Sequence, residues 1–238
     1  MQPTIVLVHG AFAESASWDG VVDELLKDGY PVIAAANPLR GLAADAAAIS
    51  DLVATIDGPV VLVGHSYGGC VISNVSAVGD VIGLVYVAGF APAPGESAFT
   101  LSGQFPGSTL GDALAMTRRA DGTTDLTITR ERFHTQFCAD VPAEQAARMA
   151  VTQRPVTQEA LLEPSGEQPL WKTCPSWFVF GEEDRNIPAA AQRYMAERAR
   201  AHRIVEIPGA SHAISVAHPL ATARMIREAA ALRLEVTR

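Results

Sequence analysis

The chain of 238 residues is short of several things, and each shortage removes a class of protein. It has three cysteines, Cys70, Cys138 and Cys174, an odd number at unrelated spacings. They fit neither a disulfide framework nor a metal site, so reduced thiols and a cytoplasmic location are expected, with no metal. No basic segment followed by a long apolar stretch precedes the first strand-like run, and no signal peptide is read. No apolar stretch reaches the roughly 18 residues that a membrane span needs. There is no internal repeat, no long run of like charge, and no low-complexity tract beyond the alanine-rich stretch Ala43–Ala48. Charged residues make up only 18% against 48% hydrophobic, the balance of a compact globular chain. The formal net charge of −8 argues against nucleic acid or an anionic membrane surface as a partner.

What is present is a rhythm. Ile5–Val8, Val32–Ala35, Val60–Val63, Ile82–Val87, Trp177–Phe180 and Ile204–Ile207 are short Val- and Ile-rich runs without strict alternation. Such runs read as strands covered on both faces. Between them Trp18–Asp28, Ala44–Ile56, Gly69–Val78, Ala189–Arg200 and Leu220–Leu234 carry helical spacing. Asp28-Gly29 and Asp57-Gly58-Pro59 punctuate the first two helices. Alternation of this kind predicts an α/β fold, a mostly parallel sheet of about six strands flanked by helices. The rhythm breaks between Ala91 and Pro175, where the strands are expected to stop and helices to lie near Arg130–Cys138 and Pro142–Val151. An insertion that long is not a bare loop. It reads as a small helical cap, residues 91–175, set into a single domain spanning residues 1–238, over the edge of the sheet where sites in such folds lie.

Gly64-His65-Ser66-Tyr67-Gly68 follows one apolar run and precedes a helix start. A serine in a sharp strand-to-helix turn needs small neighbours, and the turn lifts its hydroxyl toward free helix N–H groups. Ser66 is therefore the expected nucleophile, the alternative being a helix N-cap. A serine hydroxyl needs a base, usually a histidine held by a carboxylate. His9 and His65 sit at strand ends and are expected to brace loops. His134 lies in the cap, His202 among arginines at a helix end, and His218 before Pro219. His212, in the loop after the last strand, is the expected base. After the preceding strand, Gly181-Glu182-Glu183-Asp184 offers carboxylates; Asp184 is favoured for its depth in the loop, with Glu182 and Glu183 left open. Oxyanion donors are expected from the Tyr67 N–H and from the loop His9-Gly10-Ala11-Phe12, through Ala11 or, alternatively, Phe12.

The chain order Ser66, Asp184, His212 resembles that of the α/β-hydrolases. Together with His9-Gly10-Ala11-Phe12, Trp18 and Gly209-Ala210-Ser211-His212, it is similar to the small esterase branch that includes plant methyl-ester hydrolases and hydroxynitrile lyases. The resemblance implies an α/β-hydrolase fold with a helical cap, no cofactor, and a small-molecule ester as substrate. A homodimer is left open. Hydroxynitrile lyases of that branch carry a lysine after the histidine and a threonine in the first loop; Ala213 and Gly10 stand there instead, so lyase chemistry is not expected. Dehalogenases and epoxide hydrolases carry aspartate where Ser66 stands. The expectation is a carboxylesterase-type serine hydrolase. The alternatives are perhydrolase or haloperoxidase chemistry on the same three residues, and a small-molecule receptor on a hydrolase scaffold. Phe12, Trp18, Phe133 and Phe137 are candidate substrate contacts. Leu101, Phe105, Leu110 and Met116 are candidates either for an apolar pocket or for cap core.

Overall fold

The computed structural model describes residues 1–76 and 80–236. Its strands are β1 (Thr4–Val8), β2 (Val32–Ala35), β3 (Pro59–His65), β4 (Asp80–Val87), β5 (Leu114–Arg118), β6 (Thr124–Ile128), β7 (Val156–Thr157), β8 (Ser176–Gly181) and β9 (Arg203–Ile207). Its helices are α1 (Asp19–Lys27), α2 (Leu42–Ala54), α3 (Tyr67–Ser73), α4 (Ala98–Gly103), α5 (Arg130–Phe137), α6 (Ala143–Thr152), α7 (Gln158–Leu162), α8 (Ala189–Arg198), α9 (Ile214–Ala217) and α10 (Pro219–Val236).

Six strands form one sheet in the order β2-β1-β3-β4-β8-β9, every neighbouring pair parallel. These are the six runs expected from sequence, each within two residues of its bounds. The side-chain period of a strand explains why they lack alternation. Val6 and Val8 of β1 and Val60 and Leu62 of β3 pack toward α2, α3 and α8. Ile5, Leu7, Val61 and Val63 pack on the opposite face, toward α1 and α10. Each fully buried Val, Leu or Ile contributes about 1.5–3 kcal/mol, so a sheet apolar on both sides is stable only with helices on both. Pro219 opens α10, a position where its missing N–H has no helical acceptor to lose. The expected end of the third helix at Val78 lies outside the described residues. Among the described residues no helix is long and apolar enough to cross a membrane.

The segment between β4 and β8 departs from expectation. It holds α5 and α6 where helices were read, and α4 and α7 besides. It also holds a second sheet, β5-β6-β7, antiparallel throughout. The cap is thus mixed rather than all helical. The hairpin turns at Asp121-Gly122, where Gly122 takes φ +90°, and Leu114 pairs with Ile128 at its far end. Leu126 and Ile128 turn inward and are buried. The turn chemistry was present in the sequence, but the strands are short and polar enough to pass as loop.

Candidate active site

Ser66 occupies the junction between β3 and α3 at φ +53° and ψ −122°, a conformation that costs an L-residue of order 1–3 kcal/mol. The surroundings hold it there. Its N–H is shared between Val87 O at 3.2 Å and Ala88 O at 3.1 Å, at the end of β4. Its carbonyl accepts from Gly69 N at 2.9 Å and Phe90 N at 3.1 Å. Close approach makes two glycines necessary. A Cβ on Gly68 would lie 2.4 Å from Val8 O, and one on Gly10 would lie 2.6 Å from the Ser66 Cβ. Ala11 and Phe12 follow Gly10, and Phe12 takes φ +60°. The Tyr67 N–H begins α3 and has no acceptor within the helix.

Asp184 and His212 come from the loops after β8 and β9. His212 Nδ1 lies 2.7 Å from Asp184 Oδ2, with both side chains buried. Asp184 Oδ2 also accepts from Gln192 Nε2 at 2.9 Å, while Oδ1 accepts from Asn186 N at 2.8 Å and Ile187 N at 2.9 Å. Four donors converge on one carboxylate and fix its orientation. With Nδ1 donating to it, the neutral His212 ring keeps its lone pair on Nε2. That Nε2 is buried and has no hydrogen-bond partner among the described residues, Ser66 Oγ included. Hydrogen bonds of this kind are often long until substrate is bound. Glu182 and Glu183 are exposed, and Glu182 accepts instead from Gly209 N at 3.0 Å.

The other histidines are placed as braces. His9 accepts from Asn37 N through Nε2 at 3.1 Å, which leaves Nδ1 to donate to Gly10 O at 3.0 Å. His65 Nε2 donates to the His212 carbonyl at 3.1 Å and so ties β3 to the loop that carries His212. Burial holds the His65 pKa well below its ordinary value, with nearby His212 pushing the same way, and burial lowers that of His9. His134 bonds Val141 O inside the cap, His218 bonds Asp140, and His202 stacks on Trp177. Among the described residues no cluster of His, Cys, Asp and Glu is placed to hold a metal ion.

Ser66 and Tyr67 open onto a cavity whose floor includes Ala11 and Phe12 and whose cap side includes Phe99, Leu110, Leu114 and Leu161. Of the four candidate substrate contacts only Phe12 lines it. Trp18, Phe133 and Phe137 are fully buried elsewhere. Trp18 meets His65 edge-on at 6.3 Å, Phe137 meets His212 edge-on at 5.0 Å, and Phe133 stacks on Phe137 at 5.1 Å. Trp18 and Phe137 thus pack against imidazoles and Phe133 against Phe137, rather than against the cavity; helical spacing marks a buried face without saying what it is buried against. Leu101 is core, Met116 is exposed, and Phe105 borders a neighbouring surface groove. Sequence reasoning missed Gln192 and Asn186 behind Asp184, and the cap residues Phe99, Leu114 and Leu161.

A six-stranded parallel sheet between helices, a strained serine at a strand-to-helix turn, and an Asp–His pair on the loops after the last two strands of that sheet define a class. The sequence matches the alpha/beta hydrolase family over residues 5–225, and the chain belongs to that family. It is 27% identical over 259 residues to an alpha/beta hydrolase, nvfD, of Aspergillus novofumigatus, spanning 99% of this chain and 100% of that one. It is 29% identical over 231 residues to a pyrethroid hydrolase of Sphingobium wenxiniae, spanning 88% of this chain and 81% of the relative. Among solved structures it resembles polyneuridine aldehyde esterase, with a TM-score of 0.81 over 96% of this chain and 99% of that one. At 19% identity this last likeness is one of fold.

Proposed function

We propose that the chain is a serine hydrolase that cleaves small carboxylic esters through an acyl-enzyme on Ser66. The observation that carries this reading is the buried His212–Asp184 pair, with the free lone pair of His212 on Nε2, in a fold that holds Ser66 strained at the floor of an apolar cavity. Ser66 Oγ attacks the ester carbonyl carbon while His212 Nε2 takes its proton. The tetrahedral oxyanion is received by the Tyr67 N–H and by that of Ala11, with Phe12 as the alternative second donor. His212 returns the proton to the departing alcohol. Water, deprotonated by the same nitrogen, then attacks the acyl-enzyme carbonyl; His212 passes that proton to the departing Ser66 Oγ, and the carboxylic acid is released. Asp184 keeps the imidazole oriented and stabilises its charged form in both steps. Every step uses a group of this chain or water. The pyrethroid hydrolase and esterase relatives support ester substrates, and the apolar cavity walls support an apolar acyl or alcohol group.

The test pairs a fluorophosphonate probe with a panel of p-nitrophenyl and methyl aryl esters. One label per chain, on Ser66 and absent from Ser66→Ala, together with hydrolysis of at least one ester, is the expected result. Absence of labelling on Ser66, or labelling without turnover of any ester, would overturn it; slow or absent labelling would favour a receptor.

A further inference from the structure

Tyr67 faces two ways. Its backbone N–H begins α3 beside Ser66, and its side chain runs into the protein, where the hydroxyl donates to Asp45 Oδ2 at 2.8 Å. Asp45 is fully buried in the first turn of α2, and its Oδ1 accepts from Arg40 N at 3.0 Å. A carboxylate here gains from the positive end of α2 but loses its hydration, so each donor it retains matters. The phenol therefore has one good position. Shifting it would leave a buried carboxylate short of a hydrogen bond, at a cost of the full desolvation of that group.

The far end of this tether is also fixed. Arg40 pairs with Asp125 of β6 at 2.7 Å and donates to Pro155 O at 2.6 Å. Thr157 of β7 donates its N–H to Leu39 O at 3.1 Å and its hydroxyl to Arg40 O at 3.0 Å. Glu163 receives the N–H groups of Leu42 and Ala43 at the start of α2. The cap sheet thus grips the turn that places Asp45, and Asp45 grips the side chain whose amide lies next to Ser66.

Ester hydrolysis uses only the backbone of residue 67, so it gives no reason for a tyrosine there. Buried charged pairs are often replaceable by well-packed apolar residues without loss of stability, so stability alone does not call for this one. We propose that Asp45 is a positioning residue, acting through the Tyr67 hydroxyl to hold the Tyr67 N–H where the oxyanion forms. This rests on the serine-hydrolase reading above. Removing one oxyanion donor costs about 10²–10³ in kcat. A donor that is kept but released from its tether loses part of that, about tenfold.

The experiment compares Tyr67→Phe, Asp45→Asn and the double variant Asp45→Leu/Tyr67→Phe with the wild-type chain. The double variant is apolar on both sides and leaves no unpaired buried charge, which guards against a failure to fold. Active sites are counted by end-point fluorophosphonate labelling, and p-nitrophenyl acetate supplies kcat and KM. Binding of a trifluoromethyl ketone, which forms the oxyanion, is compared with binding of acetate, which does not. We expect kcat about tenfold lower with KM within about twofold in each variant, and a double variant no worse than Tyr67→Phe, because all three cut one tether. Ketone binding should weaken by the same factor and acetate binding should hold. Folded variants with kcat within twofold of wild type, or with raised KM at unchanged kcat, overturn the proposal. If the wild-type chain itself takes no label on Ser66, the parent reading fails first, and that result is separate from any variant.

Discussion

Ser66 holds its backbone at φ +53° through hydrogen bonds that do not involve its hydroxyl, so the hydroxyl is dispensable to the fold. Ser66→Ala should lower kcat by ~10⁴-fold or more while leaving the thermal midpoint within a few degrees. Retention of a tenth of the wild-type rate would remove Ser66 from the chemistry. Asp184→Asn places an amide where His212 Nδ1 and three other donors need an acceptor. A kcat loss of about 10⁴ is expected, from the wrong imidazole tautomer, with little change in KM. At this scale the candidates Ser66, Asp184 and His212 could be picked out because each lies in a short motif at the end of a strand, and the structure pairs the latter two. Gln192 and Asn186 could not be, since they matter only through a folded contact with Asp184. Nor could spacing tell that Phe137 packs beside His212, with Phe133 stacked on Phe137, while Phe99, which is largely exposed, lines the cavity.

The cap elements should divide selectivity from stability. Phe99 on α4 borders the cavity, and Phe99→Ala should raise kcat/KM for a bulky ester relative to an acetate ester by about tenfold, a graded effect typical of apolar pockets. Phe133→Ala, on α5, should keep the wild-type ranking and cost about 3–5 kcal/mol in urea unfolding, because it empties a closed core site. The opposite pairing, with selectivity altered by Phe133 alone, would place the pocket on the other side of α5. The six core strands were legible because double-sided burial gives dense Val and Ile runs. The cap strands were not. β5 carries Met116, Thr117 and Arg118 outward, and β7 is two residues long, so neither shows a run or a full period.

The molecule as a whole contains two histidines that folding keeps neutral, His9 and His65. Burial lowers both folded-state pKa values, whereas the unfolded chain titrates them near 6.5. Below about pH 6.5 the unfolded state therefore takes up protons that the folded state refuses. Stability should fall on acidification from that point, by up to about 1.4 kcal/mol per pH unit for each histidine, and these two groups should add no slope above neutrality. Urea midpoints at pH 7.5, 6.0 and 5.5 would measure it, and His65→Gln should flatten the slope; equal slopes in variant and wild type would assign the effect elsewhere. The same whole-molecule view bears on the insertion between Val87 and Ser176, which leaves the sheet at one strand and returns at its immediate parallel neighbour. The excursion leaves from Val87 and returns at Ser176, which pairs with Leu84 three residues back along β4, so both ends are held near each other, and closing such a loop costs only about 0.6 kcal/mol more for each doubling of its length. Lineages of this architecture are free to lengthen, trim or exchange the roof without renegotiating the sheet. The constraint on such an exchange falls on the contacts that tie the roof to the sheet's loops, among them the grip on Leu39 to Ala43, the Gln136 bonds to Arg185 and Asn186, and the Asp140 contacts with Ser211 and His218, which any substitute roof must rebuild.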